Sequence, residues 1–254
     1  MVKSIGCFDL AAVSIGTRIR KKEYVRYLKK FFFDRTLECG CGAGVYTTFL
    51  KTVCKYFVGI DINSELIRMA SANLDECDFC VSDVMHLPFK DNCFDLLVAA
   101  DVVEHTSNAY EALKEIYRVI KKQGMCSLSV PSNNWEFVCK LLGLTKYSFG
   151  HNYLFSRQEI VELVDMAGFD VVYYKPIQGF FSALLEGAIV KTCGFIYGED
   201  AVKNSRMASI TAGKKCISWI YIIGSRILYP LFLFLDFFTP PHKRYEHFLV
   251  LKKR

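Results

Sequence analysis

Glu38-Cys39-Gly40-Cys41-Gly42-Ala43-Gly44 decides how this chain reads. The stretch follows a short extended-looking run, Arg35-Thr36-Leu37, and precedes a helix-like one, Val45-Tyr46-Thr47-Thr48-Phe49-Leu50. A strand that stops on an acid and turns through three alternate glycines into a helix makes a cofactor cradle. Glycine tolerates the tight turn and lets backbone approach a ligand closely. The helix start is expected to add unpaired N–H groups and a partial positive charge. Spacing excludes two common cradles. A dinucleotide fingerprint, Gly-x-Gly-x-x-Gly, would need its third glycine at position 45, which is Val45. A phosphate loop ends in Gly-Lys-Ser/Thr, and no lysine follows until Lys51.

Working outward, the apolar run Tyr56-Phe57-Val58-Gly59-Ile60 ends in Asp61, 21 positions after Gly40. Doubly wound sheets place an acid there, at the carboxyl end of the second strand and within reach of ribose hydroxyls. A third short strand, Phe79-Cys80-Val81, runs into Ser82-Asp83-Val84. Acids thus end three successive strands. The chain reads as an α/β protein with a doubly wound, seven-stranded, mostly parallel sheet and an apolar helical insertion before the last strand. Strands are expected near 35–39, 56–61, 78–82, 94–100 and 125–130, with a sixth over 169–175 and a seventh over 247–252. Asn63 or Ser64 is expected to cap the helix after Asp61. Residues 110–122 predict a helix with Leu113, Ile116, Tyr117 and Ile120 on one face and Gly124 as terminator. Ser156-Arg157-Gln158-Glu159 is a capping box, opening a helix that Gly168 ends.

The pattern acid-x-Gly-x-Gly-x-Gly resembles the first motif of the class I S-adenosylmethionine-dependent methyltransferases. Asp83-Val84-Met85-His86-Leu87-Pro88-Phe89 and Asn92-Cys93-Phe94-Asp95-Leu96-Leu97-Val98 resemble the family's third and fourth. The likeness covers about residues 34–177 and resumes at 246–253. It is nearest to the branch holding ubiquinone- and menaquinone-biosynthesis methyltransferases and many small-molecule O- and C-methyltransferases. The resemblance implies a Rossmann-like sheet, S-adenosylmethionine as cofactor, and methyl transfer. It also implies Glu38 and Gly40 near the methionine end, with Cys41, Gly42 and Gly44 contributing loop backbone. Asp61 would meet the ribose, Ile62 the adenine face, and Asp83 with Val84 the adenine edge. Cys39 and Cys41 stand where relatives often have small residues, positions that act through backbone.

The acceptor must meet the methyl at the carboxyl edge of the fourth strand, where Ala100-Asp101-Val102-Val103-Glu104-His105 lies. This segment resembles the Glu-x-x-Glu-His of quinone-pathway O-methyltransferases, with Asp101 replacing the first Glu. Asp101, Glu104 and His105 are the catalytic candidates, His105 as the group that takes a proton from a hydroxyl acceptor. In some relatives the acids of this segment bind a divalent cation. Hydrogen bonding of the loop and helix start is the stronger reading here, and no metal ligand is assigned. Gly150-His151-Asn152-Tyr153 is expected over the same mouth, making His151 and Tyr153 acceptor-pocket candidates.

The 254 residues suit one α/β domain with decorations. A basic amphipathic helix within 1–33, over 17–33, would carry Tyr24, Tyr27, Leu28 and Phe31 on one face. The methyltransferase-like domain would span 34–254. Lysine and arginine exceed aspartate and glutamate by 32 − 26 = +6, partly clustered on that first helix. No aromatic-interleaved basic groove appears, which excludes a nucleic-acid role. The cysteines number eleven, an odd and scattered set that fits a reducing, cytoplasmic compartment better than a disulfide framework. Cys77-x-x-Cys80, with Cys93 beyond, lacks a fourth zinc ligand. Leu10-Ala11-Ala12-Val13 is too short an apolar stretch for a secretory signal.

Residues 178–246 intervene where this fold normally has a hairpin loop. They include a very apolar run, Cys216 through Phe238, near a membrane span in length. Arg226, Pro230 and Asp236 count against a span, and a single crossing would keep the seventh strand from its sheet. Three readings remain: a cap over an apolar pocket, a segment lying at the cytoplasmic membrane face, or a homodimer surface. The interface reading is favoured, with the basic first helix assisting. The expected function is methyl transfer to a hydrophobic or lipid-linked small molecule at oxygen. Its rivals are a soluble small-molecule methyltransferase that dimerises through the insertion, and a non-catalytic scaffold that keeps the fold.

Overall fold

The computed structural model describes residues 15–145, 150–197 and 228–254. The apolar stretch at 10–13, and the part of the apolar run over 216–227 with Arg226, lie outside the described residues. The chain gathers into two compact units. One comprises the residues up to Arg20, Pro131–Leu154 and Pro176–Glu246; the other comprises Lys21–Val130, Phe155–Lys175 and His247–Arg254.

The sheet grows from a strand buried on both faces. In β1 (Phe33–Cys39) the last four residues, Thr36 to Cys39, are all buried. Its neighbour β4 (Phe94–Ala100) carries Leu96, Leu97, Val98 and Ala99 without exposure, the near-continuous apolar run of a covered parallel strand. With β2 (Cys54–Asp61), β3 (Asp78–Val81), β5 (Ile120–Pro131), β6 (Phe169–Ile177) and β7 (Glu246–Lys253), the order is β3-β2-β1-β4-β5-β7-β6. The pairs β1–β2, β1–β4, β2–β3 and β4–β5 are parallel. Strand order reverses beside β1, where Glu38 faces Gly59 on one side and Val98 on the other. Ligands bind outside the carboxyl ends of strands at such a switch point. This is the α/β architecture expected from the three acids.

Local chemistry sets the connections. Asn63 caps the helix α3 (Ser64–Asn73), its side chain accepting from the N–H groups of Glu65 and Leu66. The capping box of Ser156 and Glu159 starts α6 (Arg157–Met166) as expected. Two boundaries differ from the sequence reading. The first helix, α1 (Ile15–Leu28), stops at Leu28 rather than continuing to 33. Tyr24 and Leu28 are buried, but Phe31 and Phe32 fall beyond the helix and are exposed. The helix expected over 110–122 is α4 (Ala109–Val119), and Ile120 is already extended. Gly124 therefore does not end it. Phe94 pairs with Ile120 and Leu96 with Met125, so residues 121–124 bulge out of β5. Gln123 holds φ +65° in the bulge, and Lys121 reaches both Asp95 carboxylate oxygens at 3.0 Å.

The described residues of the other unit are mainly helical. Helices α5 (Trp135–Leu142) and α7 (Phe180–Tyr197) share a core of Trp135, Val138, Ala183 and Tyr245, packed by Leu142, Leu154 and Phe180. Helix α8 (Tyr229–Leu235) contributes no buried residue. Among the described residues no helix is long and apolar enough to cross a membrane.

Candidate active site

The glycine loop is a turn held by strand ends. Cys41 N–H donates to the Ile60 carbonyl at 2.9 Å, which ties the loop to the end of β2. Gly40 has φ +67°, and a Cβ there would stand 2.4 Å from Val102 Cγ2. Only glycine fits, and the loop therefore lies against the segment after β4. Gly42 has φ +53° but nothing within 4 Å of a built Cβ, so the loop is open on that side. Gly44, at φ +90°, faces Leu74. The helix expected over 45–50 is one turn only, α2 (Thr47–Leu50). A single turn carries little dipole, so the glycine turn itself, rather than a helix terminus, is the candidate cradle.

Glu38 is 1% exposed beneath this loop. Thr47 Oγ1 donates to its Oε2 at 2.7 Å, whereas Oε1 is buried with no hydrogen-bond partner among the described residues. Burial pushes the carboxyl up to about 8; the Thr47 bond opposes this and the nearby Asp61 adds to it. Cys41 is buried in the loop, its thiol raised chiefly by burial. Asp61 accepts from Gly42 N–H at 2.9 Å and from Asn63 N–H at 2.8 Å. Burial raises its pKa; those two backbone bonds and the imidazole of His105 lower it. Ile62 beside it is 72% exposed, leaving an apolar face for a ring to cover. Ser82 N–H donates to the Asp61 carbonyl at 3.0 Å and draws the third loop alongside. Asp83 there accepts from Met85 N–H at 2.9 Å, and Val84 is buried.

After β4 the chain is strained. Asp101 sits at φ +53°, an uncommon conformation for a non-glycine residue and one that gathers at functional sites. Its N–H is held by the Ser129 carbonyl at 3.1 Å. Residues Val103–His105 form one 3₁₀ turn. Glu104 is fully buried, while the His105 side chain is 40% exposed with Nε2 3.9 Å from Glu104 Oε1. An imidazole backed by a buried carboxylate can accept and hold a proton.

Residues 37–128 match the family described as a methyltransferase domain. The chain is 30% identical over 150 residues to an uncharacterized protein of Methanocaldococcus jannaschii, covering 58% of this chain and 60% of that protein. It is 31% identical over 147 residues to a demethylmenaquinone methyltransferase of Lactobacillus johnsonii, covering 51% and 60%. The chain is thus similar to methyltransferases over part of its length. It spans about 60% of the length of those two relatives. Among solved structures, the [4+2]-cyclase SpnF superposes with a TM-score of 0.62 at 17% identity, over 92% of this chain and 79% of that one. At that identity the likeness concerns the fold.

The residues in this stretch fit S-adenosylmethionine, the cofactor that the resemblance to methyltransferases implies. A buried carboxyl with an unsatisfied oxygen calls for a donor or cation. Asp61 uses two of roughly four acceptor positions on its carboxylate, leaving room for ribose hydroxyls. Glu38, Gly40, Cys41, Gly42, Gly44, Asp61, Ile62, Asp83 and Val84 all lie in the unit that carries the sheet, as do Asp101, Glu104 and His105. His151 and Tyr153 fall in the other unit. Two positioning features escaped the sequence reading. Thr47 holds Glu38, and nothing marks one threonine among neighbours. Arg118 donates to the Leu87 and Phe89 carbonyls and to Asp91, while its partner Glu115 accepts from Leu87 N–H. Together they fix the loop behind Asp83; the Glu115-x-x-Arg118 spacing on α4 was the available signal.

Proposed function

We propose that this chain moves the methyl group of S-adenosylmethionine to a hydroxyl oxygen of a hydrophobic or lipid-linked small molecule. The observation that carries the donor side is the Glu38 carboxyl, buried with one unsatisfied oxygen below an open glycine loop. Glu38 and the backbone around Gly40 and Cys41 would hold the methionine end. Asp61 would accept from the ribose hydroxyls, Asp83 and Val84 would meet the adenine edge, and Ile62 its face. S-adenosylmethionine supplies a methyl on a sulfonium; the carbon–sulfur bond breaks, leaving its electron pair on sulfur, as the carbon–oxygen bond forms. What the protein must add is alignment and a place for the hydroxyl proton. His105 takes that proton, and Glu104 behind it stabilises the resulting imidazolium. Asp101 holds the turn that presents both.

The acceptor side rests on composition. Residues 178–246 are rich in large apolar side chains, which suits an apolar substrate better than a sugar or nucleotide. The Lactobacillus johnsonii relative is named for demethylmenaquinone. Acceptor contacts for His151 and Tyr153 are proposed from their place ahead of the α6 capping box. The test is incubation of the full chain with S-adenosylmethionine labelled in the methyl group and a cellular lipid extract. Label in the organic phase is the expected result. Label confined to water-soluble product would overturn the hydrophobic acceptor. Absence of S-adenosylmethionine binding by calorimetry would overturn the enzyme reading altogether and favour a scaffold.

A further inference from the structure

The segment from α8 into the chain before β7 presents exposed apolar side chains. Leu231 and Phe234 are exposed on α8, and Phe237 and Phe238 beyond it are 80% and 67% exposed. The three phenylalanines touch only edge-on, Phe234–Phe238 at 5.9 Å and Phe237–Phe238 at 5.7 Å between ring centres. Fraying does not explain this exposure, because the backbone around them is pinned. Asp236 is buried and accepts from the N–H groups of Gly179, Phe181 and Ser182 at the start of α7. Thr239 Oγ1 accepts from Phe180 N–H at 3.1 Å. The Asn134 amide donates to the His242 and Arg244 carbonyls at 3.1 and 2.7 Å.

Charge then selects the occupant. Residues 228–245 contain one acid, Asp236, and it is turned inward. His242 and Lys243 are exposed directly after the aromatic pair, Arg244 follows, and Arg18 lies over the Tyr229 ring at 5.4 Å at the other end of α8. Protruding aromatics framed by cations, with no exposed carboxylate between them, match an anionic lipid surface. The rings would enter the acyl boundary and the cations would meet headgroup phosphates. We propose that residues 231–243 form a membrane-docking edge that holds this protein on anionic bilayers. The edge does not depend on the methyl-transfer reading.

Flotation of the full chain with phosphatidylcholine vesicles, with and without phosphatidylserine, tests it. The protein is expected to float with the phosphatidylserine-containing vesicles. Phe237→Ser with Phe238→Ser should cut binding about tenfold or more, the scale of removing a buried aromatic from an apolar phase. Lys243→Glu should weaken only the phosphatidylserine-dependent part, by about fivefold or more, as should added salt. Because all three side chains are exposed, the thermal unfolding midpoint should not move, which separates lost docking from lost folding. Failure of the wild-type chain to float would overturn the proposal. So would flotation indifferent to both variants, or a dimer in solution that the double variant dissociates without any vesicle binding.

Discussion

Glu38 is the residue whose chemistry most constrains this protein. Its carboxyl is pushed up to about 8 from an ordinary 4.5. The fold therefore prefers the neutral form, and the unfolded chain ionises first as pH rises. With fewer protons on the unfolded state, stability should fall between about pH 4.5 and 8, by at most about 5 kcal/mol. Glu38→Gln, neutral throughout, should flatten that part of the profile; parallel urea titrations across the window would show it. Binding should run the other way. A cationic donor favours the ionised carboxylate, so affinity for S-adenosylmethionine should rise from pH 6 to 8 by up to about tenfold per unit, with proton release. Calorimetry in two buffers of different ionisation enthalpy measures that release; none in the wild type would sink the assignment. His105 makes a contrasting case. His105→Ala should lower methyl transfer by about 10²–10⁴-fold while donor affinity stays nearly constant. A comparable loss in donor binding would make it a cofactor contact instead.

At the scale of elements, strength lies where side chains close the ends of helices. Asp236 satisfies three N–H groups at the start of α7. Asp236→Ala would leave them without that acceptor inside the unit, at a cost of about 2–4 kcal/mol. Asp236→Asn keeps one carbonyl oxygen and should lose less. Limited proteolysis is the readout, with faster cleavage within 178–245 expected for Asp236→Ala and an unchanged rate contradicting the clamp. Sequence patterns located most elements because burial imposes them. The apolar run at 94–100 is a strand buried on both faces, and Ser156 with Glu159 is a capping box that reads the same in sequence and in space. Patterns failed where a contact between distant residues decides. The bulge at 121–124 answers to Asp95 and to a positive φ at Gln123, neither of which hydrophobic periodicity registers. Asp236 looked like a polar interruption in an apolar run, and its partners lie 54 to 57 positions earlier in the chain.

For the whole molecule, legibility divides along the two units. The residues proposed to hold the donor sit at or just past successive strand ends of one sheet, so topology alone gathers Glu38, Asp61 and Asp83. The acceptor has no such rule, since an apolar composition would specify size and hydrophobicity but no atom to be methylated. A functional division follows. All the groups proposed to hold S-adenosylmethionine lie in the unit carrying the sheet. Asp61→Ala should therefore weaken donor binding about tenfold to a hundredfold, the loss of charge-assisted hydrogen bonds to two hydroxyls. His151→Ala and Tyr153→Phe, in the other unit, should leave donor affinity within about threefold. If they act on the acceptor, both variants should still lower label transfer to the organic phase. Equilibrium binding of S-adenosylhomocysteine beside that transfer assay separates the two effects. A tenfold loss of S-adenosylhomocysteine binding in His151→Ala would place that imidazole among the donor contacts and end the division.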